Sequence, residues 1–154
     1  MKKLITAVAL AAAAGVAVPV GAGADVVNAH AKATFVGPLK VAGKKATLKV
    51  RYQCASGEHL WVSAKEMADG SASVKLTKEG SSKTAAAWWE SHRNAFKCND
   101  KAQTATFSID TVEKGSKGKL TPGGKAWIQF CVTTGKTEKD TKLTLSRSGW
   151  VKVV

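Results

Sequence analysis

KATLKVRYQC, residues 45–54, alternates apolar and polar side chains without a break. Leu48, Val50, Tyr52 and Cys54 fall on one face of an extended chain, and Thr47, Lys49, Arg51 and Gln53 on the other. Successive strand side chains point to opposite faces, so this pattern gives one face to a core and the other to water. It marks a half-buried antiparallel strand, not one covered on both sides.

The same period recurs on both sides of this stretch. Upstream, Ala31, Ala33 and Phe35 suggest an opening strand that ends at Gly37-Pro38. Downstream, Ala55-Ser56-Gly57-Glu58 is a turn, and His59 to Met67 follows with Leu60, Val62 and Ala64 inward. Ala68-Asp69-Gly70 reads as another turn, after which Ala72, Val74 and Leu76 form a short run. Residues 78–100 are less regular, and the AAAWW segment, residues 85–89, fits a helical turn or an edge strand. Alternation returns at Thr104 to Val112, where Phe107, Ile109 and Thr111 oppose Thr106, Ser108 and Asp110. Lys125 to Thr134, with Ile128, Phe130 and Val132 inward, and Lys142 to Val154 complete the set.

About seven short strands with evenly spaced turns predict an all-β fold, a single antiparallel β-sandwich of immunoglobulin-like type. A closed barrel is the alternative. No internal repeat or linker divides residues 25–154, which form one domain.

Residues 1–24 follow the plan of a cleaved signal peptide: Lys2-Lys3, an apolar run from Leu4 to Val18, and Ala22-Gly23-Ala24 at the cut. That run is too short for a transmembrane anchor and lacks a stop-transfer flank. The expected product is secreted and monomeric. The chain holds 24 Lys+Arg against 11 Asp+Glu, and losing Lys2 and Lys3 leaves a mature charge of about +11. The basic residues alternate with apolar ones along strands (Lys45, Lys49 and Arg51 on one, Lys75 on another), as on solvated strand faces. Such a field also favours anionic cell-wall or surface polymers. No dense basic block or aromatic-basic motif supports specific nucleic-acid recognition.

Three cysteines in an exported chain imply one disulfide and one remaining thiol, with three pairings open. No Cys-x-x-Cys or His-x-x-x-His spacing supports a closed zinc site. No Gly-x-Ser-x-Gly turn or phosphate-cradling loop is present, so neither catalysis nor a cofactor is expected. Trp88 and Trp89 are adjacent, so in a strand one of them faces outward and can stack on a sugar ring. The export cut also has two readings. Cleavage after Ala24 starts the chain at Asp25; cleavage after Ala29 starts it at His30. A free amine and imidazole at His30 can chelate copper, with His59 or His92 as a further ligand.

From Tyr52 onward the order of features is distinctive. Tyr52-Gln53-Cys54 ends a strand, a Leu-Trp-Val-Ser strand follows, and Cys98 precedes a turn and an alternating strand. Leu120-Thr121-Pro122-Gly123-Gly124-Lys125-Ala126 then leads into a long apolar strand. Over residues 44–134 this resembles the small exported immunoglobulin-like domains of actinobacteria. The resemblance implies a Cys54–Cys98 disulfide and leaves Cys131 over, as a buried thiol. A Cys54–Cys131 bridge would instead imitate the inter-sheet bridge of antibody domains. The functional expectation is a non-enzymatic binding or structural domain. Copper binding through His30 and carbohydrate binding through Trp88/Trp89 are the alternatives.

Overall fold

β3 (Lys45–Gln53) is the strand on which the first sheet is built. β1 (Lys32–Phe35) and β2 (Lys40–Ala42) lie end to end along one of its edges, and β6 (Gln103–Ile109) pairs with the other, all antiparallel. The computed structural model describes residues 31–78, 83–116, 118–135 and 140–154. Residues 1–24, both candidate cut sites and His30 lie outside the described residues.

Between β1 and β2 the chain bends at Gly37-Pro38, where Gly37 has φ 77 and proline has no N–H for the ladder. Leu39 then turns away and pairs in parallel with Val153. Its N–H donates to Lys152 O at 2.9 Å, and Val41 N–H donates to Val154 O at 2.8 Å. This segment ties the first sheet to the last strand of the second.

The second sheet has the order β7-β5-β4-β8-β9. Its strands are β4 (His59–Glu66), β5 (Ala87–Arg93), β7 (Thr111–Val112), β8 (Lys125–Thr134) and β9 (Lys142–Lys152), all antiparallel to their neighbours. With β2 and β7 only three and two residues long, seven strands among the described residues have four residues or more. The protein is all-β with two antiparallel sheets.

Their inner faces meet in one core. Leu48, Val50, Tyr52, Leu60, Val62, Phe107, Ile109, Ile128, Phe130 and Val132, expected to supply the core, are each at most 5% exposed. Tyr52 and Phe107 of the first sheet meet Phe130 of the second with ring centroids 5.4–5.8 Å apart. Tilted contacts of this kind suit aromatic quadrupoles. Burial pushes the Tyr52 hydroxyl pKa up, opposed by a hydrogen bond with the Lys97 backbone. Phe35 lies beside Gly149 and helps close the sandwich between β1 and β9.

Three expectations about strands are corrected or resolved. The run Ala72, Val74, Leu76 is not a strand: Val74–Thr77 is a single 3-10 turn capped by Ser73. Leu76 is fully buried there while Val74 is 76% exposed, and the serine hydroxyl competes for the backbone as it does at helix starts. Thr104–Val112 is two strands. After Ile109 the chain leaves the first sheet, and Thr111–Val112 joins the second beside β5. The AAAWW segment enters strand β5, whose outer edge is met by β7 and by the loop that follows it. There Ser116 Oγ accepts from Trp88 N–H at 2.8 Å, and Gly118 N–H donates to Ala86 O at 2.7 Å.

Cys54 and Cys98 form the disulfide, with Cα atoms 5.0 Å apart. Beside it, Asp100 N–H donates to Cys54 O at 2.7 Å, and Gln53 Nε2 to Asp100 O at 2.9 Å. Cys131 is not buried as expected. It alternates with Phe130 and Val132, which point inward, so its thiol is half-buried on the outer face, 3.7 Å from Ser146 Oγ. The same parity keeps it from Cys54, which faces the core.

Candidate functional site

Alternation gives each sheet an outer face, and the two faces differ in chemistry. On the first sheet, β3 presents Lys45, Thr47, Lys49, Arg51 and Gln53 outward. Register places Lys32 beside Gln53, Thr34 beside Arg51, and Lys40 beside Thr47. Across the other edge Thr104, Thr106 and Ser108 stand opposite Arg51, Lys49 and Thr47. Five cations thus share one face with hydroxyl and amide groups, and no outward position on its four strands is a carboxylate.

Two shallow depressions run along this face on either side of Val36. One, of about 460 Å³, is lined by Lys32, Thr34, Arg51 and Gln53 among others; the second, of about 380 Å³, by Lys40, Thr47, Lys49 and Thr106. Each offers two cations next to neutral hydrogen-bonding groups. Lys75, expected to add to a basic strand face, instead lies in the 3-10 turn.

The outer face of the second sheet is aromatic. One row across β5, β4, β8 and β9 reads Trp88, Lys65, Trp127, Trp150. The next reads Glu90, Ser63, Gln129, Ser148, and the third His92, Trp61, Cys131, Ser146. Four of the chain's five tryptophans therefore share this face. Trp127 and Trp150 meet edge to face with centroids 5.2 Å apart. Lys65 is fully buried, its Nζ 4.2 Å from the Trp88 ring centroid, a cation–π contact made in a desolvated place. Glu90 accepts from Trp61 Nε1 at 3.0 Å and lies 3.5 Å from His92 Nε2. Ser63 Oγ, Trp88 Nε1 and Trp127 Nε1 are buried with no hydrogen-bond partner among the described residues.

Trp88 and Trp89 point to opposite faces. Trp88 stands on the outer face, half-buried, and Trp89 fills the core at 1% exposure, so it offers no surface to a ligand. The companions of Trp88 are Trp61, Trp127 and Trp150, distant in sequence. Their strand parity was a readable signal, but which strands lie side by side was not.

His59 and His92 lie on neighbouring strands of this same face, with His59 Nδ1 2.7 Å from Asn94 Oδ1. Among the described residues no group of three or more His, Cys, Asp or Glu side chains could hold a metal ion. No helix among them is long and apolar enough to cross a membrane.

Among the described residues one carboxylate is buried. Glu66 ends β4 on the inner face, 1% exposed, and its Oε2 accepts from Thr121 N–H at 2.8 Å. Burial raises its pKa, and the Thr121 bond opposes that shift. A Cβ at Gly124 would collide with Glu66 Oε1, which explains a residue without one at this point of the Pro122-Gly123-Gly124 turn. Glu66 thus pins that turn to β4.

Fold and surface together define a two-sheet antiparallel all-β domain with one disulfide and two chemically opposed outer faces. No protein-family model matches the sequence, and no curated protein or solved structure matches it.

Proposed function

We propose that the chain is a secreted, non-enzymatic binding domain of immunoglobulin-like type, retained on anionic polymers of the cell envelope by the outer face of its first sheet. The observation that carries this reading is the set of five cations, Lys32, Lys40, Lys45, Lys49 and Arg51, on one face without a carboxylate among them. A single-signed face concentrates the field and attracts polyanions, while the interleaved threonines hydrogen-bond to phosphate or sulfate oxygens. The strand order and the parallel junction of Leu39 with Val153 support the immunoglobulin-like assignment. The disulfide supports an oxidising compartment.

Binding of the mature domain to a glycerol-phosphate polymer and to heparin, followed from 0.05 to 1 M salt, tests the reading. If each of the five cations neutralises one anionic group, the log–log salt slope is roughly −3.5 to −4.5. Lys49→Glu/Arg51→Glu should weaken binding at least tenfold at low salt, and Lys114→Glu/Lys119→Glu, off this face, far less. Equal losses from the two pairs would show that only net charge acts, and binding that survives 1 M salt would refute the electrostatic basis.

A further inference from the structure

We infer that the tryptophan face of the second sheet recognises a neutral saccharide chain. The inference is independent of the role given to the basic face. A pyranose ring has C–H-lined faces and a rim of hydroxyls, so it needs a flat apolar platform with donors and acceptors close beside it. Indole is the largest side-chain platform and carries its own N–H.

The face sets indoles and polar groups side by side, with Trp127 and Trp150 tilted 61° to one another as separate platforms. Trp88, Trp127 and Trp150 lie in one row across four strands, and Trp61 stands two rows along. With strands about 4.8 Å apart, the row spans about 14 Å, long enough for an extended chain of several rings. Between the indoles sit Glu90, His92, Gln129 and Ser148, which provide acceptors and donors. Glu90 is held in place by Trp61 Nε1, an orientation fixed before any ligand arrives. Trp88 Nε1 and Trp127 Nε1 are themselves buried, so they are not donors that a ligand on this face meets.

Charge and composition favour such a ligand. Within the three rows only Lys65 and Glu90 bear a full charge, and Lys65 is buried; the next row along the same face is exposed Lys125 opposite exposed Lys152. The three tryptophan rows carry one cation and one anion, no net charge, which suits an uncharged ligand. None of its three rows contains Leu, Ile, Val, Met or Phe. A protein-binding patch of this size ordinarily mixes aromatics with Met and Arg; indoles alternating with small polar groups match a sugar.

The test is calorimetric titration of the mature domain with cellohexaose and with chitohexaose at 0.5 M salt, where the basic face is screened. Binding should be salt-resistant and should protect tryptophan fluorescence from acrylamide quenching. Trp127→Ala and Trp150→Ala should each weaken it at least tenfold, with Trp→Phe losing less because a ring remains. Lys49→Glu/Arg51→Glu should leave it unchanged. Should an alanine variant misfold, Glu90→Gln and the quenching of the wild-type protein still decide the matter. The inference fails if neither oligosaccharide binds at millimolar concentration, if binding vanishes with salt, or if the face proves to be a self-association surface that sedimentation shows dissolving in the tryptophan variants. A loss of glycerol-phosphate binding with oligosaccharide binding intact would sink the proposed envelope retention alone.

Discussion

Replacing Cys54 and Cys98 by alanine, in a Cys131→Ser background that prevents thiol exchange, should destabilise the domain through its unfolded state. The two cysteines are 44 residues apart in sequence. Closing a loop of that length removes chain entropy worth about 4 kcal/mol at 25 °C in the loop-closure treatment. The folded geometry should survive, because the bond is not alone. Asp100 N–H still donates to Cys54 O, and Gln53 Nε2 to Asp100 O, both through atoms the alanines leave in place. For a domain of this size, about 4 kcal/mol corresponds to a fall in Tm of about 15 °C. Urea unfolding separates the two origins of such a loss. Freeing the denatured chain enlarges the surface exposed on unfolding, so m should rise as the midpoint falls. A loss below about 1 kcal/mol, or a full loss with unchanged m, would refute the reasoning and place the effect in native packing.

Three further outcomes follow from the core and the outer face. Phe130→Ala removes the ring that joins Tyr52 and Phe107 across the sheets and should cost about 3–5 kcal/mol by chemical denaturation, a large share of the stability of a small domain. Glu66 has a raised folded-state pKa, so its contribution is fully present below the ordinary glutamate range and is lost as pH rises through the folded value. Glu66→Gln keeps an acceptor for Thr121 N–H, so it should match or exceed wild-type Tm at pH 7, with the gap closing toward pH 4; a gap that widens on acidification would contradict the burial argument. Cys131→Ser alone should change stability by less than about 0.5 kcal/mol, since the thiol is half-buried on the outer face beside Ser146.

Strand parity was legible wherever the alternation was long. Lys45–Cys54 and Lys125–Thr134 fold as read because every second residue is apolar over nine or ten positions, and slipping by one would bury lysines. The run at Ala72, Val74 and Leu76 failed because three apolar residues between serines do not outweigh local hydrogen bonding by Ser73. Thr104–Val112 failed differently. Its alternation is continuous, and nothing in the pattern marks Asp110 as the point where the chain changes sheets. The parity of Phe130 and Val132 already implied an outward Cys131, although the hydrophobic character of cysteine suggested burial. The tryptophan face needed register as well as parity. Trp61, Trp88, Trp127 and Trp150 come from four strands whose adjacency arises only when the sheet forms.

On the proposed readings, the two outer faces have separate tasks under one geometry. Packed sheets lie about 10 Å apart and present their outer faces in opposite directions. A domain drawn to an anionic surface by Lys49, Arg51 and their neighbours therefore turns Trp88, Trp127 and Trp150 away from that surface. Both faces can be engaged together only by ligands on opposite sides, one polymer held by charge and another by stacking. Raising the salt releases the first contact as the Debye length falls from roughly 10 Å at 0.1 M to roughly 3 Å at 1 M, and leaves stacking nearly untouched. If both ligands are anchored in the same envelope, holding one raises the local concentration of the other, and retention exceeds what either face gives alone. A domain with its cations spread evenly over both sheets would lack this separation, because salt would then weaken every contact alike.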